Sequence, residues 1–464
     1  MTLGRRHNHL TALLAPFLFL LIGADAAGAE GPASPPAVLP EAVDKAEKDA
    51  AQWLLRQMVP NETVPLPSPG RRRLVLSYRV PADDPAFRFI YGRSFVYDDA
   101  LAVVALTMLG RYREAEYILN ALDHLLQPDG SLWFAYNTQN SWPDEMDHDW
   151  AIIRSGAMAW VGYAFTYYLQ TRSAENPGFS TSDTLGIEFL RAARSIASSL
   201  LARQVTDRAD PRFGLVTGGA GASTVALDSS SRPAERYDPA PVLWVSVEHN
   251  IDTWFFLRDL ARLASRAGLV SAADLASAAD LIRTRLSSLW SEKEGQFQQG
   301  IHEDKSTDTV LPLDGASWGA LFLQAQGRQE QARRCAAAMQ RFSSDLDGAR
   351  GFRPYGPAPV YTDEGVNRFF FPDDPGKRWQ DLPFIWGEGS FGAAAGLIRT
   401  GNREEGLRIV GSLRTLAVDG GFRYASVPVQ YEFNDYPSVA STAWFVIAVE
   451  MLRGGAAADS FWGP

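Results

Sequence analysis

Two kinds of helix alternate along this chain, and that alternation leaves few folds open. One kind is amphipathic. Arg111 to Leu126 places Tyr112, Ala115, Ile118, Leu119, Leu122 and Leu126 at helical spacing, with charged residues between them. Similar segments cover roughly 42–58, 185–203, 272–290, 328–342 and 402–415. The other kind is apolar and small on nearly every face. Ala100 to Leu109 reads ALAVVALTML, and its counterparts are Ala151 to Tyr168, Ile251 to Leu263, Ala316 to Leu323, Phe391 to Ile398 and Val439 to Leu452. A helix that is apolar all round must be buried. Six solvent-facing helices alternating with six buried ones predict two concentric rings. The expected fold is all-α, an (α/α)6 toroid of six helical hairpins with long loops at one mouth.

The turns repeat with the helices. GRYREA at 110–115, GRQEQA at 327–332 and GNREEG at 401–406 each join a buried helix to an amphipathic one. Gly110, Gly327 and Gly401 are candidates for left-handed helix caps. Ser271 and Asp274 suggest a capping box. Strand signals are confined to short loop stretches, such as 71–80 and 423–430, and long β-branched runs between helices are missing.

The ends of the chain read differently. Arg5 and Arg6 precede an apolar stretch, Leu10 to Ala24, and then small residues that fit a cleavage site after Ala29. The expected organisation is a signal peptide over 1–29, a linker over 30–41, the helical domain over 42–453 and a tail over 454–464. The expected location is periplasmic or secreted, with no stable membrane association after cleavage and a monomeric state. Cys335 is the single cysteine, so no intramolecular disulfide forms; its setting, QARRCAAAM, marks it as a small buried hydrophobe. One cysteine and six histidines give no basis for a thiolate or multi-histidine zinc site. DEMDHD at 144–149 lacks the spacing and glycine of a calcium loop. Neither a metal nor another cofactor is expected. A net charge of −10 argues against nucleic acid as a partner.

Chemistry concentrates where the buried helices begin. The six entrances read Tyr97-Asp98-Asp99; Asp147-His148-Asp149-Trp150; Glu248-His249-Asn250 with Asp252 and Trp254; Leu313-Asp314 with Trp318; Trp386-Gly387-Glu388; and Tyr431-Glu432 with Asn434-Asp435-Tyr436. Each has a carboxylate with an aromatic residue nearby. Helix capping is the plain alternative for Asp98, Asp149 and Asp314. It accounts less well for Glu248 and Glu388, which follow apolar residues and a tryptophan (Trp244, Trp386) and should sit in a partly dry mouth. Such a carboxyl has a raised proton affinity, as a general acid requires. Loop aromatics, among them Trp133 and Trp142, offer faces on which sugar rings stack.

At these entrances the sequence resembles the six-hairpin glycosidase superfamily. The segments that carry the resemblance are VYDDALAVVALTMLGRYREAEYIL, VEHNIDTWFFL, DGASWGALFL and IWGEGSFGAAAGLIRTG. The likeness spans about residues 42–453 and implies carbohydrate chemistry, with two carboxylates flanking a glycosidic bond. Glu248 and Glu388 match best as that pair, and Asp99, Asp314 and Asp435 are the reserve candidates. Counting helices as in glucoamylase-like members pairs Glu248 with Glu432 or Asp435 instead. Tyr97, Trp133, Trp142, His249, Asn250, Asp252, Trp318, Trp386 and Tyr436 are the candidate sugar-binding residues.

Three functions compete. The first is a glycoside hydrolase acting on a poly- or oligosaccharide through two carboxylates. The second is a polysaccharide lyase using Tyr97 or Tyr436 with His249 and Asn250. The third is a non-catalytic glycan-binding or polysaccharide-assembly factor. LQPDGSLW at 126–133 resembles a terpene-cyclase surface repeat, but it occurs once and lacks the Asp-rich cyclisation motif.

Overall fold

Six buried helices form the inner staves of a closed ring. The structure, a computed structural model, describes residues 38–60, 72–84, 86–138, 152–176, 179, 181–227, 233–356, 384–428 and 433–464. These fall within one unit, Pro36–Pro464. Its helices are α1 (Glu41–Gln57), the single-turn α2 (Phe87–Ile90), α3 (Val96–Met108), α4 (Tyr112–Leu125), α5 (Ser155–Glu175), α6 (Thr184–Leu201), α7 (Val247–Arg266), α8 (Ala272–Leu286), α9 (Leu313–Ala325), α10 (Gln329–Ala338), α11 (Gly387–Arg399), α12 (Arg403–Ser412), α13 (Val439–Arg453) and α14 (Ala456–Ser460).

The inner ring runs α3, α5, α7, α9, α11, α13 and back to α3, each stave packed on the next. Outer helices α4, α6, α8, α10 and α12 each pack on the stave before them, and α1 packs on α13. The first helix of the fold therefore supplies the outer partner of the last. Arg453 at the end of α13 secures that closure, reaching Asp44 at 3.2 Å and also Glu47 of α1. In α3, every residue but Tyr97 is buried. Each fully buried Leu or Val of such a helix stabilises the fold by about 1.5–3 kcal/mol, which offsets the entropy of ordering it.

The repeated turns share one geometry. Gly110, Gly327 and Gly401 have φ of 69°, 72° and 91°. The next residue's N–H closes back on the helix: Arg111 N on Leu106 O at 2.8 Å, Arg328 N on Leu323 O at 2.9 Å, Asn402 N on Leu397 O at 2.8 Å. Gly268 makes the same turn after α7, with φ 67° and Leu269 N on Ala264 O at 2.9 Å. A positive φ strains side chains other than glycine, which is why glycine recurs at these corners.

Several details differ from the sequence reading. Ser271 precedes α8 but its hydroxyl makes no cap bond. A long β-hairpin, Gly219–Leu227 paired with Pro233–Val242, stands where no strand was expected. Its sequence is rich in Gly, Ala and Pro, so strand propensity hides it; main-chain pairing, also to Ile153–Arg154, holds it. Helix α5 starts at Ser155 after an extended Arg154, so the second entrance is Arg154 rather than Asp147–Trp150. Residues 139–151, including Trp142 and the 144–149 acidic run, lie outside the described residues, as do Tyr431, Glu432, the expected signal peptide and most of the linker. The expected tail is no tail: Phe461 and Trp462 are fully buried. Cys335 is buried and free. No helix among the described residues is long and apolar enough to cross a membrane.

Candidate functional site

Each inner helix is entered through extended backbone. Phe95, Arg154, Ser246, Pro312, Trp386 and Ser438 all hold β-region angles just before the first turn. Short strand pairings pin these residues, such as Val245–Ser246 on Gly300–Ile301 and Trp386 on Ala425. The first turn of each helix is thereby aimed at one mouth, where positive helix ends favour negative charge.

The six N-termini meet there. Tyr97 of α3 donates a hydrogen bond of 2.6 Å to Glu388 Oε1 of α11. Trp444 Nε1 of α13 donates to the Tyr97 hydroxyl at 3.0 Å. Trp318 Nε1 of α9 donates to Asp252 Oδ1 of α7 at 3.1 Å. The His249 ring of α7 lies on Gly156 of α5, where an ideal Cβ would come within 2.4 Å of the imidazole. The Trp386 ring folds over Gly389 so closely that a Cβ there would lie 2.1 Å from it.

Glu388 is 7% exposed, Asp314 9%, Asp252 2% and Asp98 3%, while Glu248 is half-buried at the opening. Burial pushes Glu388 up to about 8, helped by the charges of Asp98 and Glu248 and opposed by the Tyr97 hydrogen bond. Burial pushes Glu248 up to about 7. Asp252 rises well above the usual carboxylate range through burial and the charges of Glu248 and Asp314, opposed by the Trp318 bond. Asp314 also rises well above it, through burial and the charges of Glu248 and Glu388. Burial takes Asp98 up to about 8, opposed by hydrogen bonds from Ser77 and the Ala440 N–H. The cluster thus holds protons at neutral pH and can donate as well as accept them.

Other candidates belong to the scaffold. Asp99 accepts from Val75 N at 2.9 Å and Ser94 Oγ at 2.8 Å and is fully buried; its neighbour Asp98 accepts from Ser77 and the Ala440 N–H and is the one whose charge Glu388 feels. A rotation of about 100° per residue separates the two. Asn250 is committed to backbone: it accepts from Val216 N and donates to Val216 O and Ser246 O. Asp435 pairs with Arg423 at 2.6 Å. Tyr436 bonds Asp84. Burial and the nearby Arg154 charge bring His249 down to about 3, so it is neutral. Trp318 is 2% exposed and works through its N–H rather than as a stacking face. Trp133 is half-buried beside Tyr136, with centroids 5.6 Å apart. Trp386 remains half-buried at the mouth.

Sequence reasoning missed Tyr78 and Tyr424, whose hydroxyls are pushed up by burial and also feel Glu388. It also missed Trp444. Tyr78 lies in LSYRV and Trp444 in an apolar helix, so only tertiary packing sets them apart. Among the described residues no group of three or more His, Cys, Asp or Glu is arranged to hold a metal ion.

No family model matches the chain, and no curated protein matches its sequence. Solved structures do match. A wild-type glycosidase superposes with a TM-score of 0.59 at 13% identity, over 88% of this chain and 96% of that one. A GH63 mannosylglycerate hydrolase from Thermus thermophilus, solved in complex with glucose, gives 0.55 at 15% identity over 88% and 99%. A cellobiose 2-epimerase from Bacillus thermoamylovorans gives 0.57 at 9% identity over 88% and 98%. The chain shares their fold, a toroid of six helical hairpins. Two of these neighbours are named for hydrolysis and one for epimerisation, so the six-hairpin toroid does not itself choose between the two reactions.

Proposed function

We propose that this protein is an exported glycoside hydrolase acting on a poly- or oligosaccharide. The observation that carries the reading is the meeting of Glu388 and Glu248 at one mouth, both with raised proton affinity, the first fixed by Tyr97. Glu388 is the more buried and the higher, so it serves as general acid. Its proton passes to the glycosidic oxygen as the bond from the anomeric carbon breaks. Glu248, half-buried and lower, serves as the carboxylate partner. As a base it takes a proton from the water that attacks the anomeric carbon; as a nucleophile it would first bond that carbon. Asp314 and Asp252 line the same site and suit sugar hydroxyls. Tyr97 holds Glu388 in place. The leader-like residues 1–29 support export.

The lyase reading loses support because Asn250 is committed to the Val216 and Ser246 backbone. A glycan panel with product analysis tests the proposal. Hydrolysis products from the wild type, lost in Glu388→Gln and Glu248→Gln, are expected. Unsaturated uronate products would establish the lyase, and tight sugar binding without turnover would establish the binder.

A further inference from the structure

The C-terminal residues close the ring from beneath the site. After α13 the chain turns at Gly454 and Gly455, forms α14 and ends as a hook. Three staves hold it. The Tyr167 hydroxyl of α5 donates to Ala457 O at 2.7 Å, and the Tyr163 hydroxyl accepts from Trp462 N at 3.0 Å. Arg399 of α11 donates to Ala458 O at 2.9 Å and Phe461 O at 2.6 Å, and Arg262 of α7 to Pro464 O at 3.2 Å.

The hook delivers Trp462 to the axis. Its ring stacks on Phe255 of α7, with centroids 4.5 Å apart and planes at 1°. Trp160, Trp318 and Trp444 surround it at 4.9, 5.7 and 6.3 Å. Two of those indoles reach up into the carboxylate cluster. Trp318 donates to Asp252, and Trp444 donates to the Tyr97 hydroxyl that binds Glu388. Trp462 itself sits at φ 48°, a conformation a bulky residue adopts only when its surroundings impose it.

We propose that Trp462 is a positioning residue for Glu388 and Asp252, acting through Trp444 and Trp318, and that the C-terminal hook is the floor of the cleft. A bulky ring on the axis keeps the indole belt packed. It keeps water from reaching Asp252 and Glu388 from below. The proposal concerns geometry and hydration, so it stands whether the reaction is hydrolysis or another.

The test is a carboxyl titration needing no substrate. The mature chain is labelled with carbon-13 at glutamate side-chain carboxyls, and Glu388 is assigned by the signal lost in Glu388→Gln. Glu388 faces Tyr97 and Asp98 of α3, Glu248 of α7, Asp314 of α9, and Tyr78 and Tyr424 from the loops, so its own signal must be read rather than a global one. Trp462→Ala should leave the helical circular dichroism intact and lower the Glu388 midpoint by about one unit, as water enters below it. Trp462→Phe keeps a ring and should leave the midpoint at the wild-type value. If Trp462→Ala does not fold, Trp462→Leu gives the same reading. A folded Ala or Leu variant with an unmoved Glu388 midpoint would reduce the hook to a structural plug and overturn the proposal.

Discussion

The Tyr97 hydroxyl bridges two staves of the ring, donating to Glu388 while accepting from Trp444. Tyr97→Phe removes both bonds and leaves a buried indole N–H without its partner. The cost should be about 1–3 kcal/mol, read as a lower urea midpoint. Because the lost bond lowers Glu388, the Glu388 carboxyl should titrate higher in the variant. An unchanged Glu388 midpoint would show that the bond does not form in solution.

Glu388→Gln and Glu248→Gln keep side-chain shape and lose the titrating group. On any sugar substrate identified, each should lower kcat at least about a hundredfold, the low end of acid–base effects, with binding retained. Full activity in both variants would remove the two-carboxylate reading.

Stability should fall as pH rises. The folded-state affinities of Glu388 and Asp98 are raised to about 8 and that of Glu248 to about 7, from 4.5 for Glu and 3.8 for Asp. The folded state therefore binds more protons than the unfolded state between those limits. The stability linked to them is complete below the unfolded values and is lost as pH rises through the folded ones. The Tm should drop from about pH 5 to about pH 8, and Glu388→Gln should flatten that slope. A Tm that rises across the same window would contradict the buried, protonated cluster.

Gly389 lets the Trp386 ring lie against the first turn of α11. Gly389→Ala puts a methyl group where that ring stands and must push it outward. Overpacking of this kind costs roughly 1–3 kcal/mol. A thermal melt measures the loss, and Trp386 fluorescence should shift to the red.

Arg453 ties α13 to Asp44 and Glu47 of α1. Arg453→Ala removes the cation shared by Asp44, Glu47 and Glu450; burial and Glu450 already push Glu47 up to about 8, so it is left protonated rather than as an unpaired charge, at a cost of about 1 kcal/mol. If the ring closes through this contact, the loss appears as one cooperative urea transition at lower midpoint, rather than as early fraying of α1.

The periodicity of the chain determined the toroid. A helix such as ALAVVALTML has no polar face, so it can only be buried, and six of them alternating with amphipathic helices ask for two rings. The glycine corners and the clustering of carboxylates at the inner-helix starts were legible for the same local reasons. Which carboxylate faces the cleft was not. Asp98 and Asp99 are adjacent and chemically alike, and only the position of Val75 and Ser94 turns Asp99 away. Asn250 looked like a ligand until the Val216 backbone came to it. The hook read as a tail because GAAADSFWGP has no amphipathic period, and its burial depends on a hole that exists only once the ring has closed. Such partners are far apart in sequence, as Tyr97 and Glu388 are. Their meeting is decided by packing between elements rather than by any preference within one.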